Sequence, residues 1–169
     1  WIAIPLALFL NNNRPDVFFS PTHFGPGLSP VKIVITIFDL SYLHFSKMFN
    51  LKDRWQLWLW TLISIFNAKK ILTISEFTKQ DIIKNYKVKP EKVIVTPLGY
   101  DKEVFKPIKD EGKIKQVLQK YKIKKPYIIF IGTIQPKKNL IRLMEAVKKI
   151  ENNINLVIVG KTTGDGRQG

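Results

Sequence analysis

The chain has 169 residues, 45% of them apolar, enough for one ordinary domain or parts of two, and this excludes a disordered chain. It holds no cysteine and 2 histidines, which excludes a disulfide framework or thiolate metal site and leaves little for a transition metal. The net charge is +15, with 21 Lys and Arg against 10 acids in residues 71–169 but 7 against 3 in residues 1–70, so the basic excess lies in the second part.

Such a balance favours an anionic partner: nucleic acid, a phosphorylated cofactor or an acidic lipid surface. A Lys/Asn/Ile-rich composition gives the same charge without functional meaning, and both readings stand at this point. The opening run Trp1–Leu10 is apolar but lacks the basic start of a signal peptide and is too short to span a bilayer. Trp55–Phe66 has the length of a buried core helix, so no transmembrane segment is expected. The chain starts inside an apolar element and ends in Gly164–Gly169 without a closing helix. Both ends are therefore expected to be interior to a longer protein.

Taken in order, Asp16–Ser20 reads as a short strand and Lys32–Phe38 (KIVITIF), rich in β-branched residues, as a stronger one. Asp53–Asn67 is apolar on nearly every face and predicts a helix packed on both sides, with Trp55, Trp58 and Trp60 in the core. Lys70–Thr73 is the next strand and runs into Ser75, an N-cap, with Glu76 in the first turn of a helix to about Tyr86. Lys92–Thr96 is a strand broken by Pro97 and Gly99. Gly99 is expected to take a backbone angle closed to other residues.

Phe105–Glu111, with two prolines and mixed charges, reads as a linker. Beyond it come a helix near Lys113–Tyr121, a strand at Tyr127–Ile131, a turn at Gly132–Lys138, a helix capped by Asn139 to about Ile150, and a strand at Asn155–Val159 ending at Gly160. Alternating strands and helices at this spacing imply βαβ units and parallel sheets covered on both faces. The fold class is α/β. Residues 1–107 are expected to form the later part of one Rossmann-like domain and residues 108–169 the start of another.

In parallel sheets ligands sit at the carboxyl ends of strands, and the polar motifs fall there. In Tyr127–Leu140 (YIIFIGTIQPKKNL) the strand ends in Gly132, and Lys137 and Lys138 follow just before a helix. Backbone amides and ammonium groups at such a place suit a phosphate, although a βα turn with solvated lysines has the same pattern. Asp39 and His44, in IFDLSYLH after the KIVITIF strand, are candidates for a cleft, and His23 in Pro21–Pro26 could join them. Singly, each is more often a turn former or a satisfied loop residue. For Thr73–Asp81, capping alone suffices. No P-loop, GxGxxG, HExxH or Asp-x-Asp pattern occurs.

Five runs in order, TIFDLSYLHF (Thr36–Phe45), ILTISEFTKQDI (Ile71–Ile82), VIVTPLGYD (Val93–Asp101), YIIFIGTIQPKKNL (Tyr127–Leu140) and LVIVGK (Leu156–Lys161), resemble the family-four retaining glycosyltransferases of GT-B architecture, especially their mannosyltransferase-like bacterial members. The resemblance covers nearly the whole chain. It implies two Rossmann-like domains, with an acceptor (sugar, glycolipid or other hydroxyl) on the first and a nucleotide-sugar donor on the second. It assigns donor contacts to Gly132, Thr133, Lys137, Lys138, Asn139 and Gly160, with Lys138 as the principal phosphate contact.

The sequence departs from the family pattern at two places. Thr133 stands where many members carry arginine, and Phe38 where His-Asp is common. The resemblance further implies transfer with retention, no metal and no other cofactor, a cytoplasmic site and peripheral contact with an anionic membrane. Nucleic acid is not an expected partner. A non-catalytic sugar-nucleotide-binding relative and a basic nucleic-acid module are the alternatives.

Overall fold

The computed structural model describes residues 3–27, 29–150 and 153–161; Trp1 and the run Gly164–Gly169 lie outside them. The chain divides into two compact units, Trp1–Gly99 and Tyr100–Gly169. In the first, helix α1 (Ala3–Asn13) leads into strand β1 (Val17–Ser20), and the loop 21–31 leads to β2 (Lys32–Ile37). A short helix α2 (Ser41–His44) and the long α3 (Leu51–Asn67) follow, then β3 (Ala68–Thr73), α4 (Glu76–Tyr86) and β4 (Val93–Val95). The four strands form one parallel sheet in the order β1-β2-β3-β4, with Ser20 beside Ile35, Ile37 beside Thr73 and Thr73 beside Val95.

The core explains the sequence pattern. Ile33, Ile35 and Ile37 of β2 are buried together with Ile71 of β3, Ile65 of α3, and Ile82 and Tyr86 of α4. A continuous apolar strand is what a parallel sheet's interior demands, because helices cover the face on which successive crossovers lie. Helix ends are fixed locally: Asn50 Oδ1 accepts from Asp53 N at 2.7 Å, and Ser75 Oγ from Thr78 N at 3.2 Å. The cap at Asn50 starts α3 two residues earlier than its apolar run.

Helix α3 corrects one expectation. It buries Thr61, Ser64 and Ile65, with Leu57 and Leu62 packed against the core, a stripe at helical spacing along one side. The other side is open: Trp55 is 67% exposed, and Trp58, Trp60 and Leu51 are exposed too. The apolar side chains outnumber the surface that one sheet face offers, so the tryptophans lie outside the core. Gly99 is a second correction. It has no positive φ, and a Cβ there would meet nothing within 4 Å, so an ordinary extended exit serves.

In the second unit α5 (Glu111–Lys120), capped by Asp110, precedes β5 (Tyr127–Ile131), α6 (Leu140–Lys148) and β6 (Asn155–Val159). β5 and β6 pair in parallel, Ile131 beside Val159. None of the described residues from Tyr100 onward is buried, and Ile131 is 73% exposed. The expected cover on both sheet faces is therefore absent among the described residues. Two strands and two short helices enclose too little volume for it. In the first unit, too, Val17 and Phe19 of β1 stand exposed.

Candidate functional site

Each unit gathers its polar candidates at the carboxyl ends of its strands. In the first, β1 ends at Ser20, whose hydroxyl donates to Phe24 O at 2.7 Å and lies 2.9 Å from Thr22 Oγ1. Gly25 N donates to Ser64 Oγ at 3.1 Å, which ties the loop to α3. This holds His23 against Tyr42, ring centroids 6.2 Å apart and edge-on, with Phe24 on another side at 5.1 Å. His23 Nε2 is buried and finds no hydrogen-bond partner among the described residues. Burial holds the imidazole pKa below its usual value, and the nearby Asp39 carboxylate opposes that shift.

Asp39 follows β2 by two residues, and its Oδ1 accepts from Ser41 N at 2.9 Å, which launches α2. The structure thus brings His23 and Asp39 into electrostatic contact from neighbouring strands. His44 turns elsewhere: its Nε2 donates to Asp81 Oδ2 across 2.6 Å, and Asn85 Nδ2 donates to Asp81 Oδ1 at 2.8 Å. That clamp joins α2 to α4. Phe38 lies at the end of β2, 42% exposed, with its carbonyl accepting from Thr78 Oγ1.

Sequence reasoning missed the polar cluster beneath this edge. The hydroxyls of Tyr42 and Tyr86 share a hydrogen bond in the core, close to the hydroxyl of buried Thr61. Burial pushes both phenols up, so they stay neutral donors. The residues are 44 positions apart, and no local spacing announces the pair. Missed as well was an open pocket of about 900 Å³ lined by Leu6 of α1, Leu57 and Trp60 of α3, and Phe18 and Phe24.

In the second unit the two strand ends touch. Gly132 N donates to Val159 O at 2.9 Å, and Gly132 has φ +153°, a region that favours glycine. A Cβ on Gly160 would stand 1.9 Å from Gly132 O, so only glycine permits that approach. Thr133 comes next, exposed, and Ile134 N donates to Lys161 O at 3.0 Å. Pro136–Lys138 form a single 3-10 turn, with Lys137 and Lys138 both exposed, directly before α6.

Asn139 occupies the N-cap position of α6 but differs from expectation. Its backbone is left-handed, φ 53° and ψ 39°, and its side chain makes no capping bond. The first amides of α6 are left without a side-chain acceptor, and no acid stands in the first turn.

A model of glycosyltransferase family 4 matches residues 1–104. The chain belongs to that family. A second model, glycosyl transferases group 1, matches residues 110–168. The family-4 chain is 31% identical over 84 residues to O-antigen chain mannosyltransferase B of Escherichia coli, 49% of this chain and 22% of that protein. It is 32% identical over 108 residues to the UDP-Gal:alpha-D-GlcNAc-diphosphoundecaprenol alpha-1,3-galactosyltransferase of Escherichia coli, 62% of this chain and 28% of that protein.

The chain therefore spans about a quarter of the length of these relatives. Among solved structures it is similar to a glycosyltransferase from Rickettsia africae ESF-5, with a TM-score of 0.58 at 20% identity, over 94% of this chain and 42% of that one. That likeness shows the fold, a GT-B-type α/β fold carried here by two parallel-sheet units.

Proposed function

We propose that the protein of which this chain forms part transfers a sugar from a nucleotide-sugar donor to an acceptor hydroxyl, with retention at the anomeric carbon. Supporting the donor assignment is one arrangement: an uncapped helix N-terminus, preceded by Lys137 and Lys138, at the mouth where Gly132 and Gly160 meet backbone to backbone. Unoccupied amides at the positive end of a helix, beside two ammonium groups, suit a diphosphate. The two relatives named above are a mannosyltransferase and a galactosyltransferase, the latter with a UDP-linked donor.

In this reading the bond between the anomeric carbon and the phosphate oxygen breaks, and the diphosphate leaves with the electron pair. The acceptor oxygen forms the new bond on the same face and passes its proton to the departing phosphate oxygen. Lys138 and the amides of α6 offset the charge that grows on the leaving group, so they act most strongly in the transition state. His23 and Asp39 are assigned to the acceptor side. A buried neutral imidazole nitrogen without a partner suits a sugar hydroxyl.

Lys138→Ala in the full-length enzyme is expected to lower the transfer rate about a hundredfold or more, a loss of about 2–4 kcal/mol. Lys137→Ala should cost less, unless it replaces the arginine that Thr133 displaces. The check is turnover of each variant alongside its thermal melt. A folded Lys138→Ala with near-wild-type turnover would refute the assignment. Phe38 favours a second reading, a relative that binds the donor without transferring it. Donor binding with no turnover by the unaltered protein would establish that reading instead.

A further inference from the structure

We infer that the open pocket at the amino ends of β3 and β4 binds a soluble anion with two or more adjacent phosphate groups. It lies at the opposite edge of the sheet from the polar candidates of the first unit, and it is independent of the function proposed above. β3 runs from Ala68 to Thr73, which separates its two ends by about 16 Å. The pocket measures about 490 Å³, within the range that takes a small molecule.

Five lysines line it. Lys69 and Lys70 come from the start of β3, Lys87 and Lys89 from the exit of α4, and Lys92 from the turn before β4. None of the five forms an ion pair with a carboxylate among the described residues. Two are held by backbone: Lys70 Nζ donates to Glu91 O at 2.8 Å, and Lys92 Nζ to Phe66 O at 3.3 Å. Lys69, Lys87 and Lys89 stand exposed around them. Burial, with the Lys69 ammonium nearby, holds the Lys92 pKa below its usual value.

The fold supplies some negative charge here, and its amount decides between a solvated basic face and a site. Helix α3 ends at Asn67 and α4 at Tyr86, so both carboxyl ends adjoin the pocket. Each helix end is equivalent to about half a negative charge. With the carboxylate of Glu91 they offset about two of the five ammonium charges, which leaves about three unanswered. A lone phosphate dianion falls short of that excess, whereas a diphosphate or a longer chain matches it. The point charge and rotatable donors of an ammonium suit phosphate oxygens.

The test is limited acetylation of the lysines of the full-length protein, read residue by residue by mass spectrometry. Sodium tripolyphosphate should slow acetylation at Lys69, Lys87 and Lys89 and leave exposed Lys52 unchanged. The effect should fade as sodium chloride is added. Lys69→Gln together with Lys89→Gln should raise the concentration that half-protects Lys87 about tenfold or more. Both side chains are exposed, and removing like charges should leave the melting temperature unchanged or higher. Lys89→Gln alone is the milder variant and should shift protection in the same direction.

Absence of protection at Lys69, Lys87 and Lys89 overturns the proposal. So does equal protection by sodium sulfate at the same ionic strength, which would mean charge screening alone. Protection by phosphatidylglycerol vesicles but not by tripolyphosphate would overturn it too, since the source would then be a lipid surface. Lys137 and Lys138 are read on separate peptides, so tripolyphosphate at the donor site does not mimic the result.

Discussion

Two residues show how closely the candidate sites depend on single atoms. Gly160 is a glycine because a Cβ there would overlap the Gly132 carbonyl, a backbone atom that cannot swing aside. Gly160→Ala is expected to destabilise the second unit by about 1–3 kcal/mol, the cost of straining the backbone to relieve that overlap. A lowered melting temperature together with weakened UDP or GDP binding would bear this out, and an unchanged melt would contradict the contact. His23 adds a pH dependence. Its folded pKa lies below the unfolded value of about 6.5, so the unfolded chain binds more protons between the two. The stability it contributes is complete above about pH 6.5 and is lost as pH falls through the folded value. His23→Gln should flatten the fall in unfolding midpoint below pH 6.5, measured by denaturant titration at several pH values.

At the scale of elements, the first unit is locked by a polar contact inside an apolar core. Tyr42 of α2 and Tyr86 of α4 meet at their hydroxyls. Thr61 of α3, buried nearby, donates to Leu57 O at 2.6 Å. The phenol pair thereby fixes α2 against α4 at one point. Removing one hydroxyl strands a buried partner, and Tyr42→Phe is expected to cost about 1–3 kcal/mol. The double change Tyr42→Phe with Tyr86→Phe should cost less than the sum of the two singles, because no orphan remains. A double-mutant cycle in urea measures the coupling, and strict additivity would show that the two hydroxyls act independently.

For the whole chain, the two compact units meet at Gly99 and Tyr100, close to the family-model boundary at residues 104 and 110. The segment from Tyr100 to Asp110 is exposed and carries no long element, with Val104 and Phe105 uncovered. Limited proteolysis is therefore expected to cut first between residues 100 and 110, releasing pieces whose ends mass spectrometry can assign. Resistance there equal to that of β2 and β3 would count against two independent units. The apolar surface left open on α3 and β5 also makes this chain prone to association when isolated.

The sequence by itself determined the alternation of strands and helices. β5 and β6 have the bounds that their β-branched runs predict, and Ser75 caps α4 as its position before Glu76 implies. It also determined the α/β class and the family, because these rest on local propensity, hydrophobic period and motif order, all written in short windows. Other features were decided between segments far apart. The apolar composition of α3 could not say which of its faces the sheet would cover, since that depends on how much sheet there is. The left-handed turn at Asn139 was hidden because asparagine both caps helices and tolerates positive φ, and the preceding 3-10 turn selected the second use. His23, Asp39 and Tyr42 meet only because β1 and β2 lie side by side. Proximity across strands is a property of the packed sheet, and no spacing along the chain encodes it.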